Sequence, residues 1–266
     1  MARATKVRLD TLLARRGVFD SRSRAAASVL AGEVHLGAER RRADKPGQLV
    51  AEDVPVQVAQ APEFVSRGGR KLANALDATG LDPAGRRALD VGASTGGFTD
   101  CLLQRGATHV VALDVAYGEL HWDLRNDSRV TVVERANARH LEPGQLPYAP
   151  DLVVLDVSFI SAAKVLPAVL GCTAPSWDAL VMVKPQFEAG REHVGKGGVV
   201  RDAGARRAAL VSVAQAARGL GASVLGFASS GLPGPKGNLE TFVWLAEGGR
   251  SGDREDLEAA AREVEP

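Results

Sequence analysis

The hydrophobic and polar positions of the chain change their spacing near residue 60, and the longer second part alternates between two periodicities. Seven apolar runs predict strands, near residues 87–91, 108–113, 129–134, 151–156, 179–184, 222–229 and 239–246. Helical spacing between them predicts helices at residues 68–79, 97–105, 160–170 and 202–219. Strands that alternate with helices predict an α/β, Rossmann-like fold, in which a mostly parallel seven-stranded sheet carries helices on both faces. We expect the last two strands to form an antiparallel edge.

The first part of the chain has a shorter and more irregular pattern. Leu9, Leu12 and Leu13 recur at helical spacing, and Ser21 is the expected N-cap of a second helix that ends at Leu30. Short alternating stretches then predict small strands, near residues 33–36, 47–50 and 54–58. Two helices followed by short strands predict a small α+β domain.

These changes of pattern set the expected domain boundaries. The α+β domain spans residues 1–58, a linker spans 59–66, and the α/β domain spans 67–246. The remainder, 247–266, is rich in Gly, Glu, Asp and Arg. We expect it to be mobile apart from a short helix at 255–264.

Composition and charge narrow the class of protein. The 266 residues are 45% hydrophobic and 24% charged, and they include neither an apolar run of membrane-spanning length nor an N-terminal signal sequence, so we expect a cytoplasmic protein. Two cysteines and five scattered histidines show no ligand spacing, and no metal site is predicted. Residues 1–72 carry 14 Lys and Arg against 8 Asp and Glu, whereas the other 194 carry 19 against 24. This asymmetry fits either polyanion binding or a solvated basic surface.

A glycine-rich turn follows the first strand of the α/β domain. Glycines there let the backbone approach a ligand closely at the edge where open α/β sheets bind ligands. Asp114 ends the next strand, 22 residues after Gly92, near the separation at which an acidic side chain meets ribose hydroxyls. Ser94 stands where a dinucleotide fingerprint has its second glycine, so the loop is closer to that of Rossmann-like S-adenosylmethionine-dependent methyltransferases. A tight turn without a ligand is the alternative.

The candidate cofactor-binding residues are Asp90, Gly92, Ala93, Ser94, Thr95, Gly96, Gly97, Phe98, Asp114, Asn137 and Asp156. Asn137 could equally cap a turn.

Four polar residues stand at strand ends or on a flanking helix. Asp156 and Lys184 follow apolar strands, Glu240 precedes one, and Lys71 lies on the helix after the linker. Each alone is an ordinary solvent-facing charge, but four at one edge of a sheet favour a catalytic site.

The N-terminal motifs resemble the S4-like RNA-binding domain over about residues 6–60. They are Arg8-Leu9-Asp10, Ser21-Arg22-Ser23-Arg24-Ala25, Gly32-Glu33-Val34 with Gly37, and Lys45-Pro46-Gly47. In that fold a helix-turn-helix face with exposed arginines grips structured RNA through its phosphates. The candidate RNA-binding residues are Arg8, Arg22, Arg24, Arg40, Arg41 and Arg42, with Arg67, Lys196 and Arg201 in the second domain.

Residues 6–246 resemble the TlyA, or hemolysin A, family of ribosomal RNA ribose 2′-O-methyltransferases, whose catalytic half is FtsJ-like. The specific segments are Ser66-Arg67-Gly68-Gly69-Arg70-Lys71-Leu72, Asp90 to Asp100, Leu155-Asp156-Val157-Ser158-Phe159-Ile160-Ser161, Lys184-Pro185-Gln186-Phe187-Glu188 and Gly195-Lys196-Gly197-Gly198-Val199-Val200-Arg201-Asp202. The resemblance implies S-adenosyl-L-methionine as cofactor and a catalytic tetrad of Lys71, Asp156, Lys184 and Glu240. It also implies, as substrate, cytidine 2′-hydroxyls in ribosomal RNA of the large subunit or of both subunits.

The chemistry leaves two roles open for Lys184, which we expect to contact the 2′-hydroxyl. It acts either as a base, if partly neutral, or as a cation that stabilises the developing alkoxide. Three other functions compete with methyl transfer. The chain could be a non-catalytic RNA-binding or ribosome-assembly factor, a nicotinamide-dependent oxidoreductase, or a direct hemolysin, which would need a membrane-active segment.

Overall fold

The computed structural model describes residues 6–58 and 62–265 of the chain. They fall into two units, Met1–Glu63 and Phe64–Pro266, each with its own hydrophobic core. Part of the segment interpreted as a linker, residues 59–61, lies outside the described residues.

Within the first unit, residues 6–58 form two helices and five short strands. In chain order they are β1 (Lys6–Arg8), α1 (Leu9–Arg15), α2 (Arg22–Ala31), β2 (Val34–Leu36), β3 (Arg41–Arg42), β4 (Leu49–Ala51) and β5 (Val56–Val58). The two helices and three of the strands lie where the sequence predicts them. Ser21 caps α2, since its hydroxyl accepts a hydrogen bond from the Arg24 amide at 3.1 Å. The prediction missed β1 and β3 because two or three residues are too few to show alternation.

The second unit contains the larger sheet and most of the helices. Its elements are α3 (Arg67–Thr79), β6 (Arg87–Val91), α4 (Gly97–Gln104), β7 (His109–Leu113), α5 (Trp122–Arg125), β8 (Val130–Val133), β9 (Leu152–Leu155), α6 (Leu166–Leu170), β10 (Asp178–Val183), α7 (Pro185–Glu188), α8 (Ala203–Gly219), β11 (Ser223–Ser229), β12 (Thr241–Ala246) and α9 (Leu257–Val264). Short 3-10 turns span Ala138–His140, Pro143–Gln145, Ala162–Lys164 and Arg191–His193.

The seven strands of this unit form one sheet in the order β11-β12-β10-β9-β6-β7-β8. The five strands from β10 to β8 are parallel, as predicted, and β12 runs against both of its neighbours. The expected antiparallel edge is confirmed, since β11 and β12 pair antiparallel at one side of the sheet, with β11 outermost and β12 between β11 and β10. The chain turns back after β11 and returns between β11 and β10. The start of β12 therefore lies beside the end of β10, where Thr241 pairs with Val183.

The sheet is covered on both faces, which explains why its strands are continuous apolar runs. Successive residues of β10 enter different hydrophobic clusters, Val181 one and Leu180 and Met182 the other. The helices α3 and α4 supply residues to the cluster that contains Leu180, and α6, α8 and α9 supply the opposite cluster. This arrangement confirms an α/β, Rossmann-like fold with helices on both faces.

Residues 247–265 pack against the rest of the second unit, whereas the sequence predicted a mobile segment apart from a short helix. Its helix α9 lies within the expected range, and Leu257 and Ala261 are buried in the cluster beneath α8. Glu247 is held in place by an ion pair with Arg250 at 2.8 Å, and Arg218 pairs with Asp253 at 3.0 Å. The polar composition hid this packing, because the buried residues are few and small.

Candidate active site

The loop between β6 and α4 is shaped by close backbone approaches. Gly92 has a φ of +86°, and a Cβ atom there would lie 2.6 Å from the carbonyl oxygen of Asp156. The Asp156 amide in turn donates to the carbonyl oxygen of Val91 at 2.9 Å. Ser94 and Gly96 also have positive φ values. The glycine positions are therefore required for this loop to pass the end of β9.

Asp114 is fixed by the same loop. Its carboxylate accepts hydrogen bonds from the backbone amides of Ser94, at 2.7 Å, and Ala116, at 2.8 Å. A cavity of about 460 Å³ opens beside it. Its lining includes Gly92, Ser94, Asp114, Asn137, Asp156, Ser158 and Ile160. Asn137 also accepts from the Arg139 amide at 3.1 Å, so this side chain caps a turn and borders the cavity.

Asp90 lies behind the loop rather than in the wall of this cavity. Its side chain is fully buried, and one oxygen accepts a hydrogen bond from the Thr99 hydroxyl at 2.7 Å. The other oxygen is buried without a hydrogen-bond partner. Burial raises the pKa of Asp90 to about 7, and the negative charges of Asp156 and Asp114 add to this effect.

A second cavity, of about 370 Å³, lies on the other side of the glycine loop. Its lining includes Ser66, Arg67, Lys71, Ala93, Thr95, Gly97, Phe98 and Pro235. Gly92, Ser94 and Asp156 line both cavities. A ligand in one cavity and a ligand in the other would therefore meet at Asp156.

The four polar residues predicted from strand ends form two ion pairs. Lys71 on α3 pairs with Glu240, and both side chains are buried. Lys184, directly after β10, pairs with Asp156 at 2.6 Å and also donates to the Ser158 hydroxyl at 2.8 Å. The sheet brings these residues together, because the parallel strands β9 and β10 end at the same edge at which the antiparallel β12 begins.

Phe159 is a feature of this edge that sequence reasoning missed. It follows Asp156 by three residues, is 92% exposed and has a φ of +65°. Its ring centre lies 5.4 Å from that of Phe187 on α7. An exposed aromatic ring on strained backbone beside the Asp156–Lys184 pair is a candidate substrate contact. The signal was available in the sequence as an aromatic residue among the polar residues after a buried strand.

The predicted RNA-binding residues fall into two groups. Arg8 and Arg22 are ion-paired with the buried Asp10, at 2.7 Å and 3.3 Å, and chiefly through Arg8 they hold the pKa of that carboxyl well below its ordinary range. These two arginines thus stabilise the fold of the first unit, whether or not they also bind RNA. All nine predicted side chains are exposed, Arg8 and Arg22 included; the other seven are Arg24, Arg40, Arg41, Arg42, Arg67, Lys196 and Arg201. Arg67 lines the second cavity and donates to the carbonyl oxygen of Pro233 at 2.9 Å.

Within residues 6–58 and 62–265, no group of three or more His, Cys, Asp or Glu side chains could hold a metal ion. Over the same two ranges, none of the helices combines the length and the apolarity needed to cross a membrane. Cys101 and Cys172 are buried thiols.

The chain is similar to known methyltransferases over most of its length. The FtsJ-like methyltransferase family matches residues 64–247. A Mycobacterium tuberculosis protein, the 16S/23S rRNA (cytidine-2'-O)-methyltransferase TlyA, is 50% identical over 91% of this chain and 90% of its own. Hemolysin A of Brachyspira hyodysenteriae is 36% identical over 88% of this chain and 97% of its own.

A solved structure extends the similarity to three dimensions. A candidate hemolysin from Streptococcus thermophilus is 35% identical, has a TM-score of 0.73, and covers 98% of this chain and 96% of that chain. Because the family match spans more than half of the chain and these relatives align with most of it, the chain belongs to the FtsJ-like methyltransferases and, among them, to the TlyA (hemolysin A) family.

Proposed function

We propose that the chain transfers the methyl group of S-adenosyl-L-methionine to cytidine 2′-hydroxyls of ribosomal RNA. The observation that carries this proposal is the position of Asp156. It borders both cavities and pairs with Lys184, so a cofactor in one cavity and a ribose in the other would meet beside that pair. Lys71 and Glu240 support the same edge from the side of the second cavity.

The first cavity suits S-adenosyl-L-methionine in size and in polar groups. Its volume of about 460 Å³ lies in the range of small-molecule sites. Asp114, held by two backbone amides, is placed to accept hydrogen bonds from the cofactor's ribose hydroxyls. Asn137 would border the adenine, and Asp156 would face the positive sulfonium. The bound cofactor supplies an electrophilic methyl group.

The residues of the chain then have to orient the ribose and stabilise the charge that develops on its oxygen. Lys184 is ion-paired with Asp156 and donates one N–H to the Ser158 hydroxyl, which leaves N–H groups of an ammonium for the 2′-oxygen. The Asp156 charge and the Ser158 hydroxyl hold this amine in one direction before the substrate arrives, which is the arrangement that electrostatic stabilisation requires. We therefore favour the cationic role of Lys184 over the role of a base, and the proton that the 2′-hydroxyl loses then passes to water.

RNA recognition would use both units. An exposed ring such as that of Phe159 can stack on an unpaired base, and stacking on aromatic side chains is a common means of holding single nucleotides. The arginines of the first unit, which we interpret as an S4-like domain, would contact phosphates. The 50% identical relative is named for 16S and 23S rRNA, so both subunits are candidate substrates. A ribosomal substrate also implies that the protein acts in the cytoplasm.

The experiment that tests this function is methyl transfer from radiolabelled S-adenosyl-L-methionine to separated ribosomal subunits. We expect label in 2′-O-methylcytidine with the wild type and none with Lys184→Ala. Arg218→Ala, which removes a surface ion pair far along α8, should retain full activity. Cofactor binding without label on either subunit would contradict the proposal and favour a non-catalytic RNA-binding factor, and binding of a nicotinamide dinucleotide instead would favour an oxidoreductase.

A further inference from the structure

Glu188, the last residue of α7, connects two loops that carry the active site. One of its carboxylate oxygens accepts a hydrogen bond from the Ser161 hydroxyl and the other from the backbone amide of Ala162, both at 2.6 Å. Ser161 and Ala162 end the loop that begins at Asp156. Glu188 itself lies four residues after Lys184. The two segments are residues 156–162 and 184–188. The Asp156–Lys184 pair joins their first residues, and the Glu188 carboxylate joins their last residues.

The same two segments touch at further points between these ends. Lys184 donates to Ser158, and the rings of Phe159 and Phe187 lie 5.4 Å apart. Residues 156–162 thus follow residues 184–188 along their whole length. This contact holds Phe159 in its left-handed backbone conformation, which costs a non-glycine residue free energy and persists only where neighbouring contacts impose it.

The hydrogen bonds of Glu188 depend on its ionisation. Burial raises the pKa of this carboxyl above its ordinary value, while the bonds from Ser161 and Ala162 and the positive charge of Lys164 oppose the rise. The ionised group accepts both bonds. The protonated group has one hydroxyl that donates instead, so it cannot hold Ser161 and Ala162 in the same way.

We propose that Glu188 is a positioning residue for methyl transfer, whose carboxylate fixes residues 156–162 so that Phe159 and the Asp156–Lys184 pair keep their reactive geometry. This inference rests on the proposed function for its activity test. Glu188 lines neither of the two cavities. It acts through the loop that it holds.

The test compares Glu188→Gln with the wild type and with Glu192→Gln, an exposed neighbour whose contact with His193 is 3.8 Å long. Glutamine copies the shape of the protonated carboxyl. We expect Glu188→Gln to lower kcat about tenfold, as the loss of one charge-assisted hydrogen bond predicts, with cofactor Kd and Tm little changed. The ratio of wild-type to Glu188→Gln kcat should shrink towards one as the pH falls below the pKa of Glu188. Glu192→Gln should match the wild type at every pH.

A second measurement does not depend on activity. In Glu188→Ala the backbone amide of Ala162 loses its acceptor, and hydrogen exchange across residues 156–162 should become faster by at least tenfold while the strands keep their protection. Unchanged exchange in this loop would overturn the inference even if no RNA were methylated. An active wild type with a fully active Glu188→Gln, or a kcat ratio independent of pH, would overturn it as well. A wild type that labels neither subunit would instead refute the proposed function, and the exchange result would still decide the role of Glu188 in the loop.

Discussion

At the scale of single residues, Lys71 and Glu240 form a buried pair whose members depend on each other. Replacing Lys71 by Met leaves the Glu240 carboxylate buried and uncompensated, and we expect the free energy of unfolding to fall by about 3–5 kcal/mol. The double variant Lys71→Met with Glu240→Leu removes both charges and should recover most of this loss. Both variants should be inactive. Urea denaturation of the two proteins checks the prediction, which fails if the single variant is as stable as the double one.

The role of Lys184 can be tested by comparing the variants Lys184→Arg and Lys184→Ala. Arginine keeps the positive charge but cannot act as a base near neutral pH, whereas alanine loses both properties. If the amine acts as a cation, Lys184→Arg should retain about a tenth to a hundredth of the wild-type kcat, and Lys184→Ala should lose at least a further tenfold. Single-turnover methylation at saturating cofactor measures both. Equal loss of activity in the two variants would argue for a base.

Asp90 makes the stability of the protein depend on pH. Because its pKa is raised to about 7, the folded protein keeps a proton from about pH 4 to 7 that the unfolded chain has released. The contribution of this group to the free energy of unfolding therefore falls as the pH rises through this range. Asp90→Asn lacks that dependence and can still accept the bond from Thr99. We expect the Tm of Asp90→Asn, relative to the wild-type Tm, to rise between pH 5 and 8. A Tm difference that does not change with pH would contradict the raised pKa of Asp90.

At the scale of secondary-structure elements, the sequence predicted the strands, whose apolar runs follow from burial. It missed the features that depend on contacts with distant parts of the chain. Every strand of the large sheet lies where an apolar run predicted it, because both faces are covered. The four-residue helices α5 and α7 were missed, since one turn has no periodicity to detect. The position of β12 inside the sheet depends on pairing with two distant strands, which local patterns do not encode.

The site shows the same division. Strand ends made Asp156, Lys184 and Glu240 candidates, because polar residues directly after or before a buried strand are conspicuous in a sequence. Which lysine pairs with which carboxylate follows from the strand order and could not be predicted. Phe159 and Glu188 were not singled out, because their importance comes from contacts across two loops.

The helix α9 provides a test of whether the C-terminal segment belongs to the folded unit. Ala261 has no exposed surface and lies in the cluster under α8, whereas Ala259 is exposed on the same helix. Ala261→Glu would bury a carboxylate among apolar side chains and should lower the free energy of unfolding by about 3 kcal/mol or more. Ala259→Glu is the matched control and should change it by less than about 0.5 kcal/mol. Chemical denaturation measures both variants. Equal changes in the free energy of unfolding would show that α9 is not packed against α8.

At the scale of the whole molecule, the net charge of +1 conceals a basic first quarter and a slightly acidic remainder. If the first unit binds RNA through phosphates, the logarithm of the affinity should fall linearly with the logarithm of the salt concentration. Removing both Arg24 and Arg41 should reduce that slope by about one to two. Arg218→Ala, in the second unit, should leave the slope unchanged. A slope that the double variant does not alter would place the RNA contacts elsewhere.

The strand β12 lies near the C-terminal end of the chain, so it is synthesised after most of the second unit. Glu240 pairs with Lys71 across 169 residues of chain, and it is the last member of the predicted tetrad to be synthesised. Domains fold in order from the N-terminus during translation, and contacts between distant residues form late. The first unit can thus fold while the chain is still being synthesised. The predicted tetrad is complete only after β12 has paired with β11 and β10. If the first unit binds RNA, a nascent chain would therefore bind it before the predicted tetrad is complete.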